Sequence, residues 1–245
     1  MKQRLDTALV DRQLVESREK AQALILAGKV RVDGQRAQKP GRAVQETSRI
    51  TVEQPLKYVS RGGLKLEAAL RNFNISVESK VCLDVGTSTG GFTDCLLQHG
   101  ALRVHAIDTG TGQIDWKLRT DPRVVLHERK NARYVKLADI GEVAQLIACD
   151  VSFISVTLLF PALIPLLAPD GDWIILIKPQ FEAGRASVGP GGIVRDPTAH
   201  AFACEKVSNS LQSAGFATEL MASPILGSEG NKEFLLYARR TPATL

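Results

Sequence analysis

One stretch, residues 81–93, constrains the fold of this chain more than any other. It reads Val-Cys-Leu-Asp-Val-Gly-Thr-Ser-Thr-Gly-Gly-Phe-Thr, an apolar strand that ends at an acid and runs into a glycine-rich turn. Such a turn, opening a helix after the first parallel strand, forms the nucleotide pocket of many α/β proteins. We therefore predict a parallel α/β sheet whose pocket is built by Asp84, Gly86, Gly90 and Gly91.

The spacing of the glycines favours one kind of ligand. They follow a GxxxGG pattern, not the GxGxxG of dinucleotide enzymes, whose glycines surround a pyrophosphate. S-adenosylmethionine (SAM) has no pyrophosphate, but it has a charged amino-acid end and an adenosine. SAM is therefore the expected cofactor, and a methyltransferase the expected class. Asp108, which ends the next strand, is expected to bind the ribose diol, with a turn residue as the alternative, and Asn131 is expected beside the adenine.

Apolar runs alternate with helical patterns through the rest of the chain, which predicts a Rossmann-like, doubly wound, mostly parallel sheet that closes with an edge hairpin. A helix is expected after residue 61, and others near 91–99, 155–167 and 197–214. The predicted strands are 81–85, 103–108, 123–127, 144–150, 173–178, 217–223 and 233–239.

The first 60 residues predict a small, separate α+β module. Helices are expected at 4–13 and 17–27, a hairpin begins at Val30, residues 49–52 supply a closing strand, and 53–60 read as a linker. Residues 1–61 hold thirteen Lys/Arg against seven Asp/Glu, whereas the rest holds eighteen against nineteen. This asymmetry predicts that the module binds a polyanion; a merely solvated basic surface is the alternative.

The module resembles the alpha-L RNA-binding motif of a small-subunit ribosomal protein and of pseudouridine synthases. The match is carried by Arg4-Leu5-Asp6, Ser17-Arg18-Glu19, Val32-Asp33-Gly34 and Lys39-Pro40-Gly41, among other positions. The resemblance implies that residues 1–60 bind RNA, and such modules meet phosphates and shape rather than sequence. The expected RNA-binding residues are Arg4, Arg18, Lys20, Lys29, Arg31 and Lys39.

Four charged residues occupy positions that suit catalysis. Asp150 and Lys178 each follow an apolar strand, at the sheet edge where α/β proteins place their active sites. Lys65 lies near the start of the first helix of the second domain, and Glu233 opens the last strand. Each one alone also has a bland interpretation as a solvated charge. Arg185, in a glycine-rich loop just past Lys178, is expected to contact RNA phosphate.

Together, Lys65, Asp150, Lys178 and Glu233 reproduce the Lys-Asp-Lys-Glu order of FtsJ/RrmJ-type RNA ribose 2′-O-methyltransferases. With the SRGGLKL, CDVSFIS and IKPQFEAGR segments, nearly the whole chain resembles the TlyA (hemolysin A) family. The resemblance implies a domain 61–245 of FtsJ-like type that methylates cytidine riboses, with ribosomal RNA or ribosomal subunits as partners. It also implies these four residues as the catalytic set; the scheme needs no metal, and no metal-ligand cluster is visible.

Two features bear on location. The four cysteines form no CxxC pair, which predicts buried free thiols in a reducing cytoplasm, and the N-terminus lacks the apolar core of a signal peptide. Residues 151–169 carry no charge, but Pro161 and Pro165 interrupt them, so a buried segment is expected rather than a membrane span. A membrane-lytic protein and a catalytically idle ribosome assembly factor are the competing functions.

Overall fold

The computed structural model describes residues 2–53 and 57–241, and its tertiary contacts divide the chain into two units, 1–56 and 57–245. The boundary that the sequence suggests after residue 60 stays a prediction. Of the expected linker 53–60, residues 54–56 lie outside the described residues, while Tyr58 is buried in the second unit.

The first unit is a small α+β fold. Ser17 begins its second helix by accepting a hydrogen bond from the Lys20 backbone, and Gly28 follows the end of that helix with φ +69°. Apolar residues of both helices, including Leu5, Leu9 and Ile25, pack on the strands. The elements are β1 (Lys2–Arg4), α1 (Leu5–Asp11), α2 (Arg18–Leu26), β2 (Val30–Val32), β3 (Gln35–Arg36), β4 (Ala43–Gln45) and β5 (Ile50–Val52), with β1 paired to β4 and β2 between β3 and β5.

The second unit alternates strands and helices as predicted. Its helices are α3 (Gly62–Asn72), α4 (Gly91–Gln98), α5 (Trp116–Arg119), α6 (Leu137–Ile140), α7 (Phe160–Leu163), α8 (Pro179–Glu182) and α9 (Pro197–Gln212). Its strands are β6 (Val81–Val85), β7 (Arg103–Ile107), β8 (Val124–His127), β9 (Ala144–Cys149), β10 (Leu167–Ile177), β11 (Phe216–Ala222) and β12 (Phe234–Arg240).

These strands form one seven-stranded sheet in the order β11-β12-β10-β9-β6-β7-β8. The five strands from β10 to β8 are parallel, and β11 and β12 add an antiparallel hairpin at one edge, which confirms the predicted fold class. Strands β6, β9 and β10 are buried on both faces, between two apolar clusters. All four cysteines are buried as free thiols, as predicted.

The predicted helix 155–167 is wrong as a continuous element. Only one α-helical turn, α7, forms there, between 3₁₀ turns at Val156–Leu159 and Ile164–Leu166. Pro161 and Pro165 explain the break, because proline lacks the backbone N–H that continues a helix. The segment is nevertheless core, and within residues 2–53 and 57–241 no helix is long and apolar enough to cross a membrane.

Strand β10 also begins earlier than predicted. Leu167 already pairs with Ala144, and the register then shifts before pairing resumes at Asp172. The Asp170-Gly171 pair inside this irregularity is polar and reads as a turn, which is why the sequence suggests a later start.

Candidate active site

Strand register gathers the predicted site residues at one edge of the sheet. Val85 pairs with both Ile107 and Cys149, and Cys149 pairs with Ile175. The residues that follow these strand ends, from Gly86 to Lys178, therefore leave the sheet side by side. Strand β12 runs the other way and begins opposite Ile177, so the preceding residue, Glu233, reaches the same edge.

Asp84, near the end of β6, stabilises the glycine-rich turn through hydrogen bonds to Thr93 on α4. The carboxylate is fully buried, and its Oδ2 accepts hydrogen bonds from the backbone N–H and the hydroxyl of Thr93 at 2.9 and 2.6 Å. Gly86 has φ +87°, and a side chain there would collide with the backbone carbonyl of Asp150. A glycine at this position thus allows the exits of β6 and β9 to approach closely.

The next two glycines serve packing around α4. Gly90 begins the helix in the left-handed conformation and packs against Leu118. Gly91 lies against Ser60 and Gly63, so that a Cβ there would overlap the start of α3. A direct cofactor contact for Asp84, Gly90 or Gly91 stays a prediction.

A cavity of about 560 Å³ opens beside the turn. Of the predicted cofactor residues, Gly86, Asp108 and Asn131 line it. The Asp108 carboxylate accepts hydrogen bonds from the backbones of Ser88 and Gly110, both at 2.7 Å, which fixes its position and leaves lone pairs for a diol. The remaining lining includes the apolar Ile107, Ala132, Val151, Ile154 and Leu159 and the polar Gln113 and Lys130.

The donor set of this cavity fits SAM. An apolar cleft with few, fixed polar groups is the usual site of a small ligand, and the volume lies in the usual range. Asp108 is the acceptor that a ribose diol requires, and the apolar side chains suit an adenine ring. Asn131 accepts a hydrogen bond from the Arg133 backbone at 3.0 Å, which holds it at the cavity wall.

A second cavity, of about 260 Å³, contains all four predicted catalytic residues. Lys65, Asp150, Lys178 and Glu233 line it together, although they come from four separate elements. The two cavities share one wall, which is formed by Gly86, Ser88, Asp150 and Ser152.

The four charges are arranged as two ion pairs. Lys65 pairs with Glu233, and both side chains are almost completely buried. Lys178 Nζ lies 2.6 Å from Asp150 Oδ1, as an ion pair without the angle of a hydrogen bond, and it donates a hydrogen bond to Ser152 Oγ at 2.8 Å. Each lysine therefore faces the cavity beside its own carboxylate.

Sequence reasoning missed several residues of this wall. Ser88 and Ser152 line both cavities, and Phe153, a residue that is 92% exposed, lines the larger one. Phe153 has φ +66°, which is a strained conformation for a bulky residue, and its ring lies 5.4 Å from that of Phe181. The available signal was position, because residues 151–153 directly follow Asp150 at the strand exit.

In the first unit, a buried carboxylate organises two of the predicted RNA-binding arginines. Arg4 donates two hydrogen bonds to Asp6, at 3.0 and 2.9 Å, and Arg18 donates one at 3.1 Å. The hydrogen bonds from Arg4 hold the pKa of Asp6 well below its usual range. Both arginine side chains remain about half exposed, so each is held in place by Asp6 while part of it still faces solvent.

The other predicted RNA-binding residues are also exposed. Lys20 pairs with Glu16 at 2.9 Å. Lys29 and Arg31 share Glu53 at 3.5 and 3.4 Å. Lys39 lies on a loop, and Arg185 begins a 3₁₀ turn in the glycine-rich loop after α8. Contact of these residues with RNA stays a prediction.

Comparison with known proteins gives a consistent result. Residues 58–240 match the family described as FtsJ-like methyltransferase, and residues 3–50 match the S4 domain. The 16S/23S rRNA (cytidine-2′-O)-methyltransferase TlyA of Mycobacterium tuberculosis is 46% identical over 239 residues, covering 96% of this chain and 89% of that protein. Hemolysin A of Brachyspira hyodysenteriae is 44% identical over 236 residues, with coverage of 96% and 98%. A solved structure from Streptococcus thermophilus, whose title calls the protein a hemolysin, is 43% identical to this chain and has a TM-score of 0.75. The match covers 98% of this chain and 89% of that protein.

Proposed function

The chain belongs to the FtsJ-like methyltransferase family, and from that premise we propose that it methylates ribose 2′-hydroxyl groups of ribosomal RNA. It is a SAM-dependent RNA methyltransferase with an N-terminal S4 domain, as the sequence resemblance predicted. The proposed targets are cytidines, because the Mycobacterium tuberculosis relative is named for cytidine 2′-O-methylation. Ribosomal RNA or ribosomal subunits are then the partner, and the cytoplasm is the place of action.

One observation carries this proposal: the Lys-Asp-Lys-Glu set lines one small cavity that shares a wall with the SAM-sized cavity. A methyl donor on one side of that wall and a hydroxyl on the other are the two reactants of a 2′-O-methyltransferase. Holding both in line supplies most of the acceleration in a reaction of this kind.

The charged residues suit the proton chemistry of a hydroxyl nucleophile. SAM, when bound, supplies an electrophilic methyl group. We assign to Lys178 Nζ the acceptance of the 2′-hydroxyl proton, and Asp150 stabilises the ammonium that results. Lys65, held by the buried Glu233, stabilises the negative charge that develops on the 2′-oxygen.

RNA binding is proposed for two exposed features. Arg4 and Arg18 present preorganised guanidinium groups, which suit phosphate oxygens. Phe153, an exposed aromatic ring beside the cavities, offers a stacking surface for a base turned out of its helix. The strain at Phe153 is the kind that structures retain at functional sites.

Transfer of tritiated methyl groups from SAM to purified ribosomal subunits and to free rRNA tests the proposal. We expect alkali-resistant label with the wild type and a rate lower by about 100-fold or more with Lys178→Ala. Lys136→Ala, which removes an exposed lysine of the same unit, serves as the matched control and should keep its activity. Label that is alkali-labile, label that survives in Lys178→Ala, or no label while SAM still binds would each overturn the proposal.

A further inference from the structure

Ser152 contacts the proposed proton acceptor directly, yet it is not one of the four charged residues. Its Oγ accepts a hydrogen bond from Lys178 Nζ at 2.8 Å, while Asp150 Oδ1 lies 2.6 Å from the same nitrogen. Ser152 and Asp150 are two residues apart on the loop after β9. The lysine amine therefore has two fixed oxygen neighbours, both supplied by one loop.

The position of Ser152 relative to the cavities is equally specific. It lines the SAM-sized cavity and the smaller cavity, in the wall that separates them. Lys65 and Glu233 also line the smaller cavity, but they form their own ion pair. Ser152 is thus the uncharged neighbour of Lys178 at the place where methyl donor and hydroxyl must meet.

The loop that carries Ser152 is anchored at its far end. Ser155 Oγ and the Val156 backbone N–H donate hydrogen bonds to the buried Glu182 carboxylate at 2.6 and 2.7 Å. Between them and Ser152 lies Phe153, with its φ of +66°. A loop held at both ends keeps the Ser152 hydroxyl at a defined place.

Acceptance of a proton requires that the lone pair of the Lys178 amine faces the 2′-hydroxyl. Ser152 Oγ accepts one N–H of this amine in a hydrogen bond, whereas the Asp150 carboxylate attracts the nitrogen by charge alone. The hydrogen bond to Ser152 is therefore the contact that restrains rotation of the amine. Without it, the N–H groups and the lone pair can exchange directions.

We propose that Ser152 is a positioning residue, which orients the Lys178 amine so that its lone pair faces the 2′-hydroxyl. This inference rests on the proposed function. In the step, the O–H bond of the ribose breaks and a new N–H bond forms on Lys178. An O–CH₃ bond replaces the S–CH₃ bond, and the positive charge passes from the sulfonium to the lysine ammonium.

Steady-state kinetics on ribosomal subunits test the assignment with Ser152→Ala, Ser152→Thr and Ser213→Ala. Losing an orienting hydrogen bond should lower kcat of Ser152→Ala roughly 10-fold. The KM for the subunits and the Kd for SAM should stay within about twofold, because the bond orients a proton acceptor and binds neither reactant. Ser152→Thr keeps the hydroxyl and should recover most of kcat.

Ser213→Ala is the matched control, because it removes an exposed serine hydroxyl at the end of α9 that takes no part in the hydrogen bonds around Lys178; its kcat should stay near that of the wild type. Unchanged kcat in Ser152→Ala, a Ser152→Thr variant as slow as Ser152→Ala, or an equal loss in Ser213→Ala would each overturn the inference. A wild type that makes no 2′-O-methyl product would instead overturn the proposed function, so the two failures are distinguishable.

Discussion

Asp84 is a carboxylic acid in a place that water does not reach. Its Oδ1 atom has no hydrogen-bond partner among the described residues, although Oδ2 has two donors from Thr93. Burial raises the pKa of Asp84 to about 7, and the negative charges of Asp150 and Asp108 add to the effect. The carboxyl group thus titrates near neutral pH in the folded protein.

This shift predicts that stability falls as the pH rises. An unfolded aspartate titrates near pH ~3.9, so between about pH 4 and 7 the folded state keeps a proton that the unfolded chain has lost. The free energy of unfolding therefore decreases through this window and levels off above it, by at most about 4 kcal/mol. Asp84→Asn has no such titration. The free energy of unfolding of this variant, relative to that of the wild type, should therefore increase from pH 5 to 7.

Urea unfolding at pH 5 to 8 measures the difference. Tryptophan fluorescence reports on the second unit, because Trp116 and Trp173 both lie there. Asp170→Asn, the same change at an exposed position, is the control and should follow the wild-type pH dependence. Parallel curves for the wild type and Asp84→Asn would contradict the prediction.

At this scale, the sequence identifies residues whose backbone position follows from strand ends. Asp150 and Lys178 lie where two apolar runs stop, and parallel strands end at one edge, so their proximity was predictable. The hydrogen bond to Ser152 was not, because it depends on a loop conformation that includes a positive φ at Phe153. Neither periodicity nor propensity specifies such a conformation.

At the scale of secondary-structure elements, Glu182 connects three segments that are distant in sequence: α8, the loop after β9, and α9. At the end of α8, it accepts hydrogen bonds from Ser155 and Val156 in the loop after β9, and from Lys206 Nζ of α9 at 3.0 Å. The carboxylate is buried, whereas the Lys206 side chain is 36% exposed. Removing the carboxylate leaves the buried N–H of Val156 without an acceptor. The Ser155 hydroxyl still has Thr157 Oγ1 at 2.8 Å, and Lys206 can turn to solvent.

We therefore expect Glu182→Ala to lower the free energy of unfolding by about 1–3 kcal/mol, mainly through the unpaired backbone N–H of Val156. Urea unfolding followed by tryptophan fluorescence measures the loss. Glu205→Ala, at an exposed position next to Lys206, should change the free energy of unfolding by no more than about 0.5 kcal/mol. A Glu182→Ala variant as stable as Glu205→Ala would show that the network does not stabilise the fold.

Helices and strands were predictable where one hydrophobic periodicity runs through the segment, and unpredictable where proline interrupts it. Apart from β10, the strands of the seven-stranded sheet agree with the predicted ranges to within one residue. The apolar segment around α7, in contrast, breaks into three short helical turns. Apolar composition alone indicates burial there, and burial is what the structure shows. The break in the helix is caused by Pro161 and Pro165, and apolar composition alone gives no information about where a helix breaks.

At the scale of the whole molecule, the two units differ in their balance of charge. Residues 1–56 hold eleven Lys/Arg and seven Asp/Glu, whereas residues 57–245 hold twenty and nineteen. The second unit carries the proposed catalytic residues, of which Lys178 and Lys65 are each paired with a carboxylate. Affinity for RNA and chemistry on RNA are therefore expected to depend on different residues.

The salt dependence of RNA binding tests this division. Each lysine that neutralises a phosphate adds about 0.7–0.9 to the slope of log affinity against log salt. Lys39→Ala should weaken binding to 16S and 23S rRNA and reduce the slope by about that amount, because Lys39 is an exposed lysine of the S4 domain. Lys178→Ala should leave the slope unchanged while it lowers turnover by about 100-fold or more.

Fluorescence anisotropy measures the affinity for RNA at salt concentrations from roughly 50 to 300 mM KCl. Lys136→Ala removes the same charge from the second unit and is the matched control. An equal reduction of slope in Lys39→Ala and Lys136→Ala would mean that binding follows net charge alone. A reduction confined to Lys39→Ala would mean that the S4 domain holds the phosphate backbone while the methyltransferase domain acts on the ribose.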